Sequence, residues 1–148
     1  MSYASKDLLV WQKAMALVRG IYLQTRKFPK DELYGLAAQM GRSAVSVPSN
    51  IAEGQGRLSK GEFKQFLVVA RGSLLELETQ ILIAADLGYV DEVHSKGLIV
   101  QTQEVLRMLN GLIESLPRRD VTVTRCCWRA KPRCLSLKLE TRNLKLFL

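Results

Sequence analysis

Apolar residues return at steps of three and four along four stretches of this chain, the period of one face of an α-helix. Leu8, Trp11, Met15, Val18, Tyr22 and Thr25 mark the first, over residues 5–27. Leu33, Ala37, Met40, Ala44, Val47 and Ile51 mark the second, over residues 31–54. The third has the strongest period: Phe63, Leu67, Ala70, Leu74, Leu77, Ile81 and Ala84. Ile99, Thr102, Leu106, Leu109, Ile113 and Leu116 mark the fourth, over residues 91–115. Trp11 and Tyr22 fall on the first stripe and are predicted to pack in the core.

Punctuation supports these bounds. Ser5 is placed to cap the first helix, and Phe28-Pro29 ends it, since the residue before proline avoids the helical region. Ser59 with Glu62 three residues later forms a capping-box pattern for the third. Gly54 and Gly56 are predicted to stop the second helix, Gly88 the third and Pro117 the fourth. Pro48 lies inside the second and predicts a kink near Ala44, or a break. No strand pattern appears before Pro117. Four long helices joined by short turns give an all-α, antiparallel up-down-up-down four-helix bundle.

Charge divides the chain. Residues 1–117 carry thirteen Lys/Arg against twelve Asp/Glu, whereas the last 31 residues carry nine against two. The net charge of +8 therefore belongs mostly to residues 118–148, which also hold the three cysteines, Cys126, Cys127 and Cys134. The reading is a bundle domain, 1–117, and a basic, poorly ordered C-terminal extension, 118–148. The cysteines lack zinc spacing and read as free thiols. Trp128 among the basic residues of the extension would suit nucleic acid or an acidic surface. An extension without selected structure is the other reading. Neither a membrane span nor a signal peptide is evident, so a cytoplasmic location is expected.

The run from Arg42 to Arg57 carries a second, polar stripe: Arg42, Ser46, Asn50 and Glu53. Three assignments fit it. Its hydroxyls and amide satisfy carbonyls around Pro48 while Glu53 pairs with Arg42, Arg57 or Arg71; or its members lie at a subunit interface; or they meet a ligand or nucleic acid. Arg57, Lys60, Lys64 and Arg71 form a basic flank on the third helix, a candidate nucleic-acid contact or a solvated face. Gly54-Gln55-Gly56-Arg57 lacks the lysine and hydroxyl of a phosphate loop. His94, the sole histidine, has no partner at catalytic spacing, and Glu76 and Glu78 do not share a helix face. No catalytic, cofactor or metal site is read, and no enzyme activity is expected.

Several runs together resemble a known family. They are Asp7 to Ala14, Phe28 to Leu36, Gln39 to Gly54 with its Asn50-Ile51-Ala52-Glu53-Gly54 core, and Gly72 to Gln80. These residues are similar to the bacterial four-helix bundle proteins encoded in intervening sequences of 23S ribosomal RNA genes. A relative of that family is the accessory protein of diversity-generating retroelements. The resemblance covers about Lys6 to Leu116. It implies a homo-oligomeric ring, a pentamer, and the leading expectation is a non-enzymatic assembly or adaptor role. The alternative it implies is a nucleic-acid-binding accessory protein acting with ribosomal RNA or a reverse transcriptase. The nearly neutral bundle departs from the strongly basic retroelement relative, and the segment after Pro117 matches nothing in the family's pattern. It reads as a lineage-specific extension or as sequence appended by an altered reading frame.

Overall fold

Threes and fours become four helices in the computed structural model, which describes residues 4–116. These are α1 (Leu9–Thr25), α2 (Leu36–Gln55), α3 (Lys60–Asp86) and α4 (Glu92–Ser115). Short 3-10 turns, Ala4–Asp7 and Lys30–Leu33, precede α1 and α2. Each helix packs on its two sequence neighbours, α4 closing back on α1, and the diagonal pairs make no contact. That is the antiparallel four-helix bundle which the stripes predict. The described residues contain no strand. The extension 118–148, with its cysteines and Trp128, lies outside the described residues.

The core is a single cluster contributed by all four helices. In α3 the predicted stripe is the observed one: Leu67, Ala70, Leu74, Leu77, Ile81 and Ala84 are fully buried, and Phe63 packs at the margin. In α2, Ala37, Met40, Ala44, Val47 and Ile51 are buried, but Leu33 is 61% exposed because the chain there is still a 3-10 turn. The second helix therefore starts at Leu36, five residues later than its stripe suggests. Lys30–Leu33 closes on itself, and Glu32 accepts a hydrogen bond from Leu36 N at 2.9 Å.

The first and fourth stripes are displaced. In α1 the buried residues are Val10, Ala14, Leu17 and Ile21, one position before the predicted Trp11, Met15, Val18 and Tyr22. The predicted set lies on the next face, half-buried, and Tyr22 is 46% exposed, so it is not a core residue. α1 is apolar over a double width, and counting intervals along a double stripe does not decide which half faces inward. In α4 the same holds: Leu98, Thr102, Val105, Leu109 and Ile113 are buried, while Ile99, Leu106 and Leu116 pack at the edge.

Helix ends follow known chemistry, with two corrections. Ser59 Oγ accepts from Glu62 N at 3.1 Å, and Asp91 Oδ1 caps α4 by accepting from His94 N at 2.8 Å. Leu8, not Ser5, occupies the N-cap of α1, which has no side-chain cap. Gly88 adopts φ +73° after α3. Tyr89 N donates to Ala84 O and Gly88 N to Ala85 O, both at 2.9 Å, the paired bonds of a Schellman stop.

Gly54 does not stop α2. It is buried inside the helix, where a Cβ would stand 2.6 Å from Phe66 Cβ and 2.9 Å from Phe63 Cδ2. It is the glycine that lets α2 and α3 approach. Pro48 is buried within α2, which runs unbroken from Leu36 to Gln55.

Candidate functional site

The polar stripe of α2 divides between two surroundings. Ser46 and Asn50 turn toward α3. Ser46 Oγ meets Ser73 Oγ at 2.9 Å, and Asn50 Nδ2 donates to Ser46 O at 2.8 Å and Ser46 Oγ at 2.9 Å. Ser49 Oγ donates to Val45 O at 2.8 Å, and Ser43 Oγ to Gln39 O at 3.1 Å. The stretch around Pro48 is therefore bonded internally. Pro48 has no N–H for the Ala44 carbonyl, and the side chains on either side of it bond back to carbonyls of the neighbouring turns. Glu53 pairs with Arg57 one turn on, and the Arg57 guanidinium lies 4.9 Å from the centre of the Phe66 ring. Arg42, exposed like Glu53, is the member of the stripe whose side chain makes no hydrogen bond or ion pair among the described residues.

Arg42 borders two depressions. One, about 380 Å³ and polar, lies between α2 and α3 and is lined by Gln39, Arg42, Ser43, Ser46, Ser73 and Glu76. Glu76 accepts from Gln80 Nε2 at 2.9 Å; Gln80 is buried, and its Oε1 has no partner. The other is an open apolar groove of about 640 Å³ between α1 and α2. Tyr22, Leu33, Ala37, Ala38, Gly41 and Val45 form it, together with Arg26 and Arg42. Tyr22, displaced from the core, is what gives the groove its wall on α1. Small residues on α2 give it depth.

The outward side of α3 is an apolar ridge. Val68, Leu75 and Leu82 repeat at seven-residue intervals and are 42%, 47% and 49% exposed. Val69 and Ile83 extend the same face, and Gly72 and Thr79 fill the intervals in the order 68, 72, 75, 79, 82. α3 thus carries two heptad-like stripes, one in the core and one facing outward. Five half-exposed aliphatic side chains leave on the order of 400 Å² of apolar surface, the scale at which a patch marks an interaction site. From Gly72 to Asp86 the helix holds Glu76, Glu78 and Asp86 and no lysine or arginine. Asp86 follows Leu82 by one turn and has no partner among the described residues.

The basic flank is partly engaged. Arg57 is held by Glu53 and Phe66, and Lys64 Nζ donates to Leu116 O at 3.2 Å. Lys60 is exposed and Arg71 half-exposed. The four therefore do not present one free row.

The remaining ion pairs among the described residues lie on the surface: Lys13–Glu104 at 2.9 Å, Lys96–Glu92 at 2.6 Å and His94–Asp91 at 2.5 Å. The Asp91 carboxyl is held below its ordinary range, first by the backbone N–H of His94 and then by the His94 side chain. Among the described residues no three His, Cys, Asp or Glu side chains gather as metal ligands, and no helix is long and apolar enough to cross a membrane.

The groove and the ridge were not read from the sequence as sites. The signal was present in both: the second apolar stripe of α1, and the seven-residue repeat of Val68, Leu75 and Leu82.

Comparison with known proteins agrees with the helical resemblance. The model of the 23S rRNA-intervening sequence proteins matches residues 6–111. A crystal structure of a protein of unknown function from the S23 ribosomal protein family of Bacteroides thetaiotaomicron superposes with a TM-score of 0.66 at 20% identity. The match covers 72% of this chain and the whole of that one, and it bears on the fold. Among proteins of curated function, none matches the chain.

Proposed function

We propose that this chain, which belongs to the 23S rRNA-intervening sequence protein family, functions in assembly. It is a non-enzymatic adaptor that self-associates into a closed ring, of five subunits as the family resemblance implies. The observation that carries this reading is the pairing of an apolar groove on α1 and α2 with an apolar ridge on α3. Two different patches that fit one another make a heterologous contact, and heterologous contacts close into rings when the rotation permits. An isologous dimer would need one self-complementary patch instead.

Charge supports the same docking. Arg26 and Arg42 line the groove without ion-pair partners among the described residues. The ridge runs into Asp86, equally unpaired, with Glu76 and Glu78 nearby. Seating the ridge of one copy in the groove of the next brings these signs together and excludes the reversed orientation. Complementary charge of this kind fixes orientation more than it adds affinity. Equilibrium sedimentation of the full chain at micromolar concentration tests the reading. A closed oligomer larger than a dimer is expected, and a monomer would overturn it.

Nucleic-acid binding as an accessory protein is the second reading, resting on Lys60, Arg71 and the basic extension. It predicts affinity that falls by about 0.9 log units per log of salt for each duplex phosphate neutralised. Absent or salt-independent binding removes it.

A further inference from the structure

We propose that the polar depression between α2 and α3 binds a small zwitterion of the free α-amino acid class, its carboxylate on Arg42 and its ammonium on Glu76. The residues that line it belong to one chain, so the inference goes beyond the assembly reading and does not depend on it.

The first observation is a pair of opposite charges that share the depression without neutralising each other. Arg42 enters from α2 and Glu76 from α3, and no ion pair joins them. A lone anion on Arg42 would meet the Glu76 carboxylate, and a lone cation on Glu76 would meet the Arg42 guanidinium. Each is disfavoured by the like charge. A ligand that carries both signs satisfies both. Arg42 also borders the apolar groove, and its five N–H donors are enough for a carboxylate here and an acidic group there.

The second is the fixing of Glu76. Gln80, one turn on and buried, donates from Nε2 to Glu76 Oε1 at 2.9 Å. Its own Oε1 has no partner. A buried amide with an unmet oxygen carries a free-energy cost, and its bond holds the carboxylate in place. Glu76 Oε2 is left without a partner among the described residues.

The third is a spare hydroxyl hydrogen. Ser46 Oγ and Ser73 Oγ share one hydrogen bond at 2.9 Å, and Asn50 Nδ2 donates to Ser46 Oγ. Two hydroxyl hydrogens serve that single bond, so whichever serine donates, the other's O–H has no acceptor among the described residues. Both serines line the depression, so the spare donor lies there in either arrangement. The site thus offers a cation on α2, a free O–H where the helices meet, and a held carboxylate on α3. Its volume of about 380 Å³ falls among small-molecule sites, which span about 300–1,000 Å³. The side chains that line it are all polar, which favours an amino acid with a short or polar side chain.

Calorimetric titration of the full chain with each common free L-amino acid tests this. At least one with a short or polar side chain is expected to bind with a submillimolar Kd. Acetate and methylammonium, which carry one charged end each, should bind far more weakly. R42Q and E76Q should each weaken binding by about 10- to 100-fold, the loss of one hydrogen bond to a charged group. R42K, which keeps the charge, should recover part of the affinity. Both positions are exposed, so the variants should melt with the parent by circular dichroism. R107Q, on the exposed side of α4, should bind as the parent does. Binding of no amino acid at millimolar concentration overturns the site. Undiminished binding by R42Q or E76Q overturns its location, and acetate bound as tightly as the amino acid overturns the zwitterion.

Discussion

Replacing Gly54 by alanine places a methyl group where α3 already stands. The new Cβ would lie 2.6 Å from Phe66 Cβ and 2.9 Å from Phe63 Cδ2, against an ordinary carbon–carbon separation of about 3.5–4.0 Å. Phe66 Cβ is fixed to its backbone and cannot swing aside as the end of a long side chain would. The two helices must therefore separate by about 1 Å at this point, or Phe66 must carry its turn of α3 outward. Overpacking of this kind costs about 1–3 kcal/mol. Alanine returns up to about 1 kcal/mol through helix propensity and a less costly unfolded state. The strain extends along the most extensive helix pair of the bundle, α2 with α3, so the net result is destabilisation by about 1–2 kcal/mol. Urea unfolding followed by circular dichroism measures it as a lower midpoint with unchanged slope. A midpoint equal to or above that of the parent would show that α2 and α3 do not need this close approach.

Other expectations follow from the same geometry. Asn50→Leu removes two hydrogen bonds to Ser46, and at roughly 1 kcal/mol each it should lower unfolding stability by about 1–2 kcal/mol. No change in the denaturant midpoint would show that Asn50 does not support the turn around Pro48. Asp91 caps α4 with a depressed pKa, so its contribution is present above the unfolded carboxyl pKa and is lost as pH falls through the lower folded value. The parent should therefore lose thermal stability as pH falls below the ordinary aspartate range, and Asp91→Asn, which keeps a capping oxygen, should lose less. Parallel pH profiles for the two proteins would contradict this assignment.

Legibility in the sequence depended on how many faces of a helix are apolar. α3 was placed correctly because its core stripe consists of large aliphatic residues and alanines in unbroken alternation. α1 has two adjacent stripes, and the one holding Trp11 and Tyr22 is the more conspicuous by residue size. The inner one, with Ala14 at its centre, is buried instead because small residues let α1 come close to its neighbours. Leu33 continues the period of α2, but Tyr34-Gly35 interrupts the helix, and periodicity carries no information about such a break. Gly54 reads as a stop in sequence because its close contact belongs to Phe63 and Phe66, which lie beyond the turn. The polar stripe was legible as a feature and not as a use. The partner of Ser46 is Ser73, 27 residues away, and no local pattern links them.

The central claim is that a ridge on α3 of one copy fits the groove between α1 and α2 of another. Mixing two surface variants tests it most directly. Leu75→Arg places a charge on the ridge, and Val45→Arg places one in the groove; both positions are half-exposed in the bundle, so the fold tolerates them. Each variant alone lacks one of the two patches that every contact needs, and each should sediment as a monomer. Mixed in equal amounts, they retain one intact ridge and one intact groove between them and should form a 1:1 dimer that grows no further. Oligomers formed by either variant alone, or a mixture that remains monomeric while the parent assembles, would contradict the ridge-in-groove contact.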